Sequence, residues 1–305
     1  MNTKRIRKFI FACGALAVAS SPVVAQKAKP TPAAKPAKSA IFAILQNGSN
    51  LEPIAYIVNG KLEPAVNGSD DRSMIAEFSK AYYRSGAVYR LIFGGSDSGS
   101  VIIKSSNAKS ECAPNTAQAA SKPAKVPLRG FVMALATNSP FKNKSVSFRR
   151  KPTAVEKIEM DSLVKKEFLK HKLTPTTLHF QNLTAIDVDN DGKPEFVGSY
   201  WIEIDKLTRG LLFFIADKGA DGKYSFGYSE YRSVDQASVM SGEIKSIDEG
   251  VLHELLLDTF DYDGDGNGEI FTYTQSFEGA GFNAYRRSGG KWVKSFENAN
   301  YHCGY

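Results

Sequence analysis

Cysteine is scarce in this chain. Only three occur in 305 residues, and no two form a C-x-x-C pair. A zinc site built on paired thiolates is therefore excluded, because such sites draw on closely spaced cysteines. Long apolar runs are missing too. Beyond the N-terminal leader, no segment approaches the roughly 20 apolar residues that a membrane-spanning helix needs. The sequence also lacks a phosphate loop and a nucleophile elbow. Gly94-Gly95-Ser96-Asp97-Ser98-Gly99 has no Lys-Ser/Thr ending, and Asp97 stands where an elbow would carry serine. That stretch reads as a surface turn. Bulk charge on the folded part is absent as well. The chain carries +7 overall, but Lys4, Arg5, Arg7, Lys8, Lys27, Lys29, Lys35 and Lys38 precede any acidic residue. Residues 39–305 are left with about −1, so no charge balance argues for nucleic acid as a partner.

What is present begins with a leader. Residues 1–25 combine a basic start, an apolar run over Phe9–Ala19 and the small-residue site Val23-Val24-Ala25 before Gln26. This is the pattern of a secretory signal peptide, and it predicts a secreted or periplasmic protein with no transmembrane anchor. Cys13 lies too early in the apolar run for lipid attachment. Residues 26–39 are built from Ala, Lys and Pro and read as a disordered linker, a solvated spacer or a tether to an anionic surface. The exported chain keeps Cys112 and Cys303, which an oxidising compartment would join in one disulfide; free thiols are the alternative.

Residues 40–150 read as an N-terminal mixed β region. Strands are expected at Ile41–Gln46, Ile54–Val58, Val88–Phe93, Val101–Ser105 and Phe131–Ala136. Asn59-Gly60 suits a type I′ hairpin turn. A helix over Ser73–Tyr83 would bury Met74, Phe78, Ala81 and Tyr82. Ala117–Lys125 is polar and reads as a loop. Residues 151–305 open with the clearest helix, whose Thr153-Ala154-Val155-Glu156 start fits a capping box. Met160, Leu163, Val164 and Phe168 form its apolar stripe, and Pro175 marks its end.

An acidic loop then occurs twice. Asp187-Val188-Asp189-Asn190-Asp191-Gly192-Lys193-Pro194-Glu195 and Asp261-Tyr262-Asp263-Gly264-Asp265-Gly266-Asn267-Gly268-Glu269 both read D-x-D-x-D-G-x-x-E. Four carboxylates within nine residues repel one another unless a hard cation sits among them, and Ca²⁺ prefers such oxygen ligands. The 74-residue shift that superposes the loops also places His179 on His253, Leu183 on Leu257 and Phe196 on Ile270. Each copy reads as strand, acidic loop, strand, strand, turn, strand. The expected fold is mainly β with a few helices, made of antiparallel four-stranded repeat units, as a partial propeller or as stacked sheets.

Residues 178–297 resemble FG-GAP or VCBS repeats, the calcium-loop blades of integrin α-subunit propellers. The resemblance implies two Ca²⁺ sites. Their ligands would be Asp187, Asp189, Asp191 and Glu195 with the Lys193 carbonyl, and Asp261, Asp263, Asp265 and Glu269 with the Asn267 carbonyl. The Phe-Gly and Gly-Ala-Pro signatures of the family are missing, and two blades do not close a propeller. The N-terminal half would have to supply degenerate blades, of which Gly60-Lys61 is the only hint, or the sheets pack otherwise. An EF-hand is excluded: position twelve is Gly198 or Thr272 instead of Glu, and the flanks are strand-like.

A metal held this way fixes the loop; a catalytic metal or a metal-free loop is the alternative. His179 and His253 read as a repeated packing element, and Glu243, Glu254 and Asp258 as ordinary acidic residues. Tyr200, Trp201, Tyr228, Tyr231, Tyr285 and Trp292 fill the sheets or line a binding face. No catalytic set emerges. The expected role is a non-enzymatic, calcium-stabilised binding protein whose partner is an envelope or extracellular protein or polysaccharide. The alternative is an extracytoplasmic hydrolase that uses the repeats as scaffold.

Overall fold

A computed structural model describes residues 38–123, 128–130, 132–140, 148–239 and 246–303. The leader, nearly all of the linker and Glu243 lie outside these residues. Among the described residues no helix is long and apolar enough to cross a membrane.

The N-terminal half is built from seven strands: β1 (Ser39–Leu45), β2 (Asn50–Val58), β3 (Lys61–Pro64), β4 (Val88–Phe93), β5 (Ser96–Ser106), β6 (Ala117–Pro123) and β7 (Ala134–Thr137). Six of them run in the order β1-β7-β4-β5-β6-β2, and β2 pairs back onto β1. The sheet is thus a closed barrel, with β3 added as a flap on β2. Closure removes exposed sheet edges. Alternation along each strand separates two cores. On β1, Ala40, Phe42 and Ile44 fill the barrel, while Ile41, Ala43 and Leu45 face outward. Helix α1 (Arg72–Tyr82) seals the barrel with Phe78, Tyr82 and the following Tyr83, which contact Phe42 at ring distances of 5.9 and 6.0 Å for the two tyrosines.

Four details depart from expectation. The N-terminal half supplies a barrel, so Gly60-Lys61 belongs to the β2–β3 hairpin and no degenerate blade is present among the described residues. Its turn is as expected, with positive φ at Asn59 (52°) and Gly60 (70°). Helix α1 buries Phe78 and Tyr82 as expected, but Ile75 and Ser79 complete its face, whereas Met74 and Ala81 are exposed. Ala117–Pro123 is strand, because β5 and β2 on either side complete its hydrogen bonds. The turn is confined to Gly94-Gly95, since Ser96 already begins β5.

The C-terminal half contains two meanders. The first is β9 (His179–Ile186), β10 (Glu195–Asp205), β11 (Thr208–Lys218) and β12 (Tyr224–Asp235), extended by β8 (Arg149–Arg150) beside β9. The second is β13 (Glu254–Phe260), β14 (Glu269–Gln275), β15 (Gly279–Ser288) and β16 (Lys291–Tyr301). Short helices α3 (Gln236–Val239) and α4 (Ile247–Gly250) lie between them in sequence. Both sheets are buried on both faces. Helix α2 (Ala154–Lys170) covers the first with Met160, Val164 and Phe168. Both hydrogen bonds of its predicted capping box are present, a feature worth about 1 kcal/mol. It ends at Lys170, with Lys172 at a φ of 62°, before Pro175 is reached. Between the sheets pack Ile186, Val197, Phe213, Ile215, Leu256, Ile270, Tyr285 and Trp292. The far face of the second sheet, with Leu257, Phe271 and Phe282, packs on the outside of the barrel. The order of layers is helix, sheet, sheet, barrel.

Candidate metal centre

The two acidic loops are hairpin connections in the same register. Ile186 pairs with Glu195 across the first, and Phe260 with Glu269 across the second. Within each loop the aspartates fold the backbone by accepting its N–H groups. In the first, Asp191 N–H donates to Asp189 Oδ1 (3.2 Å), Gly192 N–H to Asp187 Oδ2 (3.1 Å) and Lys193 N–H to Asp191 Oδ1 (2.7 Å). In the second, Asp265 N–H donates to Asp263 Oδ1 (3.1 Å), Gly266 N–H to Asp261 Oδ2 (3.1 Å) and Asn267 N–H to Asp265 Oδ1 (2.8 Å). These three bonds repeat at equivalent positions, and the second loop adds one from Gly264 N–H to Asp261 Oδ1 at 2.7 Å. The sharp turn at position six needs positive φ, 79° at Gly192 and 94° at Gly266, which glycine adopts without a Cβ penalty.

This folding gathers the carboxylates. Asp187, Asp189 and Asp191 bring one oxygen each to within 4.8 Å of one another, and so do Asp261, Asp263 and Asp265. Glu195 and Glu269 are not part of these groups; they sit at the buried base of each loop, 2% and 3% exposed. The loops also touch: Gly268 N–H donates to the Val188 carbonyl at 2.7 Å.

Electrostatics separates the two copies. Arg287, from β15 of the second sheet, reaches into the first loop. Its guanidinium bonds Asp189 Oδ2, Glu195 Oε1 and, at 2.7 Å, Asp217 Oδ1 of β11. It lies 5.1 Å from the ring centre of Trp292, whose indole N–H also donates to Asp217. The second Glu195 oxygen accepts from Val188 N–H at 3.1 Å. Glu195 is therefore fully bonded. Glu269 is not: its Oε2 is buried without a hydrogen-bond partner, and so is Asp187 Oδ1 in the first loop. Burial pushes the Glu195 carboxyl up to about 7 against the pull of Arg287. Burial, aided by the Asp263 charge, pushes Glu269 up to about 8. The Asp263 carboxyl is raised mainly by its own burial.

The residues fit a hard divalent cation. The converging donors are all carboxylate oxygens, with no nitrogen or sulfur, which selects Ca²⁺-like ions over zinc. Each loop also holds one buried oxygen that the protein leaves unbonded. Such an oxygen is costly without a partner. Lys193 and Asn267 sit at position seven of the loops; Lys193 Nζ is 3.6 Å from Asp191 Oδ2, and Asn267 Nδ2 donates to Asp265 at 3.2 Å.

Cys112 and Cys303 form a disulfide between the segment after β5 and the C-terminus. His179 stacks on Trp201 at 4.0 Å, and His253 lies 6.4 Å from the same ring, so the repeated histidines pack around one tryptophan. Tyr200, Tyr285 and Trp292 are buried in the core. Two of the acidic residues read as ordinary are structural. Asp258 is fully buried, accepts from Gly94 N–H and Gly95 N–H, and pairs with Arg149 at 2.7 Å. Glu254 accepts from Asn283 and Tyr285. Arg287 and Asp217 carried no signal in the sequence, because their roles depend on how the two sheets stack.

No family model, curated protein or solved structure matches the chain.

Proposed function

We propose that this is an exported calcium-binding protein with a non-enzymatic recognition role, in which Ca²⁺ fixes the paired β sheets. The observation that carries the reading is the repeated loop geometry, with three converging aspartates and one unbonded buried oxygen in each copy. Asp187, Asp189 and Asp191 would hold one ion, and Asp261, Asp263, Asp265 and Glu269 the other. The ion would supply positive charge that stops the carboxylates repelling one another. The resemblance to FG-GAP or VCBS repeats supports the same assignment. The disulfide and the leader-like N-terminus support a secreted or periplasmic location, where such a bond persists. The partner would be a protein or polysaccharide of the envelope or cell exterior.

Isothermal calorimetry tests the metal. Two-site Ca²⁺ binding is expected, and replacing Asp191 and Asp265 with Ala should abolish most of it. Retained two-site binding in that double variant would place the ligands elsewhere. A chelator should lower the melting temperature, and an unchanged value would end the calcium reading. Pull-down from an envelope extract with and without Ca²⁺ tests the recognition role; capture that ignores Ca²⁺ would separate recognition from the loops.

A further inference from the structure

Helix α2 carries a second apolar stripe, on its solvent side. Met160, Val164 and Phe168 are fully buried against the first sheet. On the opposite side, Val155 is 75% exposed, Ile158 70% and Leu169 53%. Counted from Val155, Ile158, Ser162 and Leu169 lie 3, 7 and 14 residues along the helix. At 3.6 residues per turn these offsets share one face. The helix is the outermost layer of the stack, so that face looks away from the protein.

The charges around the stripe have one sign. Lys165 falls on one flank, and Lys166 and Lys170 on the other. All three are exposed, as is Lys172 just beyond the helix. Lys165, Lys166 and Lys172 form no ion pair among the described residues. Lys170 lies in the last turn and suits the helix dipole, which does not reach Lys165 and Lys166.

The four carboxylates of α2 are turned inward or already bonded. Glu156 pairs with Arg150, and Asp161 with Lys157 and the Tyr200 hydroxyl. Glu167 is buried and pairs with Lys170. Glu159, at the rim, is half-buried and accepts from Tyr224 N–H at 3.0 Å. The outer face therefore presents apolar side chains and cations without an exposed carboxylate.

That combination selects the occupant. A soluble polyanion would pair with the lysines but leave the apolar stripe in water. A second copy of this face would bring lysines together with no exposed acid to receive them. A protein groove must match a convex helix in shape, whereas a lipid surface conforms to it. An anionic bilayer surface offers phosphates to the lysines and the edge of its acyl region to the stripe. Lysines beside such a stripe lay their methylenes along it and keep their ammonium groups among the headgroups. With 17 residues and one face packed on the protein, α2 would lie in the surface plane.

We infer that α2 is a membrane-surface helix. Val155, Ile158 and Leu169 enter the boundary between headgroups and acyl chains of an anionic bilayer, while Lys165, Lys166, Lys170 and Lys172 meet lipid phosphates. The inference is independent of the calcium loops and of the function proposed from them.

The test is co-sedimentation of the exported chain, residues 26–305, with vesicles of phosphatidylglycerol and phosphatidylcholine in equal parts, and with pure phosphatidylcholine. Binding to the anionic vesicles should be at least about tenfold tighter. Two double variants, at exposed positions only, divide the contributions. Lys165→Glu with Lys166→Glu should weaken anionic-vesicle binding about tenfold or more. Ile158→Ser with Leu169→Ser should weaken it about tenfold through lost apolar burial. In a Leu169→Trp variant, anionic vesicles should shift the added indole emission to the blue, and soluble polyglutamate should not. Binding unaltered by either double variant would assign the contact to the lysine-rich linker and overturn the inference. So would equal binding to neutral vesicles, no binding to either, or a blue shift with polyglutamate, which would mark a site for an acidic protein.

Discussion

The two acidic loops share a sequence pattern, a register and three folding hydrogen bonds, yet they answer their own charge differently. In the first, Arg287 brings a permanent cation from the neighbouring sheet and bonds both Asp189 and Glu195. In the second, no arginine or lysine forms an ion pair with Asp261, Asp263, Asp265 or Glu269 among the described residues, and Glu269 Oε2 is buried without a partner. Sequence repetition fixes a loop's shape, but neighbouring elements decide how much of its charge is already balanced. The first loop is partly neutralised by the protein, whereas in the second no ion pair among the described residues offsets the carboxylates.

Removing Arg287 attacks this contrast most directly. Arg287→Ala strips the partner from three carboxylates, one of them nearly inaccessible. Breaking such a cluster should cost about 3 kcal/mol in chelator, by the usual penalty for an uncompensated buried charge. Excess Ca²⁺ should return part of that loss, because the first loop then resembles the second. Urea denaturation with and without Ca²⁺ measures both quantities. A variant as stable as the parent in chelator would remove the distinction between the loops.

The next effect is pH dependence without metal. The folded Glu269 carboxyl, at about 8, lies above its ordinary unfolded value. The folded state therefore keeps a proton that the unfolded chain has released, and stability falls as pH rises from about 4.5 to about 8. The contribution is a few kcal/mol for a buried carboxyl. Ca²⁺ binds the ionised form, so its presence should flatten the decline. Glu269→Gln, with nothing to titrate, should flatten it in chelator as well. Glu195, at about 7, adds a slope that ends one unit earlier. Melting temperatures across this pH range check the sign; a metal-free protein that gains stability from pH 5 to 8 would contradict it.

Much of this architecture was legible in the sequence, and the losses have physical causes. Thr153 and Glu156 announced helix α2 because a capping box is local. The loops announced themselves because their folding bonds lie within nine residues. On α1 the apolar pattern points correctly to Phe78 and Tyr82 but not to Ile75 over Met74, since both are apolar and only packing on the barrel chooses between them. Strand β6 was missed because Ala, Gln, Ser and Lys have weak β preference, and its place between β5 and β2 overrides that. Asp258 turned out to be buried because both faces of β13 are covered, which no composition reveals. The bond from Arg287 to Asp189 spans 98 residues and exists only once the sheets stack.

Calcium itself should then divide unequally. At free Ca²⁺ ten times Kd, an occupied site adds about 1.4 kcal/mol by linkage. Asp265→Ala should remove more of the total Ca²⁺ stabilisation than Asp191→Ala, because the first loop already holds a guanidinium. Calorimetric scans of each single variant across a Ca²⁺ series make the measurement. Equal losses would mean that Arg287 does not compete with the ion.

The smallest effect lies at position seven. Lys193 in the first loop sits 3.6 Å from Asp191, and both side chains are about half exposed. The second loop carries neutral Asn267 at the same position. Exposed pairs contribute little, about 0.5 kcal/mol at most, and salt screens them. That charge nevertheless opposes an incoming cation. Lys193→Asn should therefore tighten Ca²⁺ binding at the first loop about twofold at low salt and leave it nearly unchanged at high salt, while the second loop stays as it was. Calorimetry at two ionic strengths in the Asp265→Ala background isolates the first site. A gain that persists at high salt would point to a change in loop shape instead of charge, and the contrast between the loops would then owe less to electrostatics than Arg287 suggests.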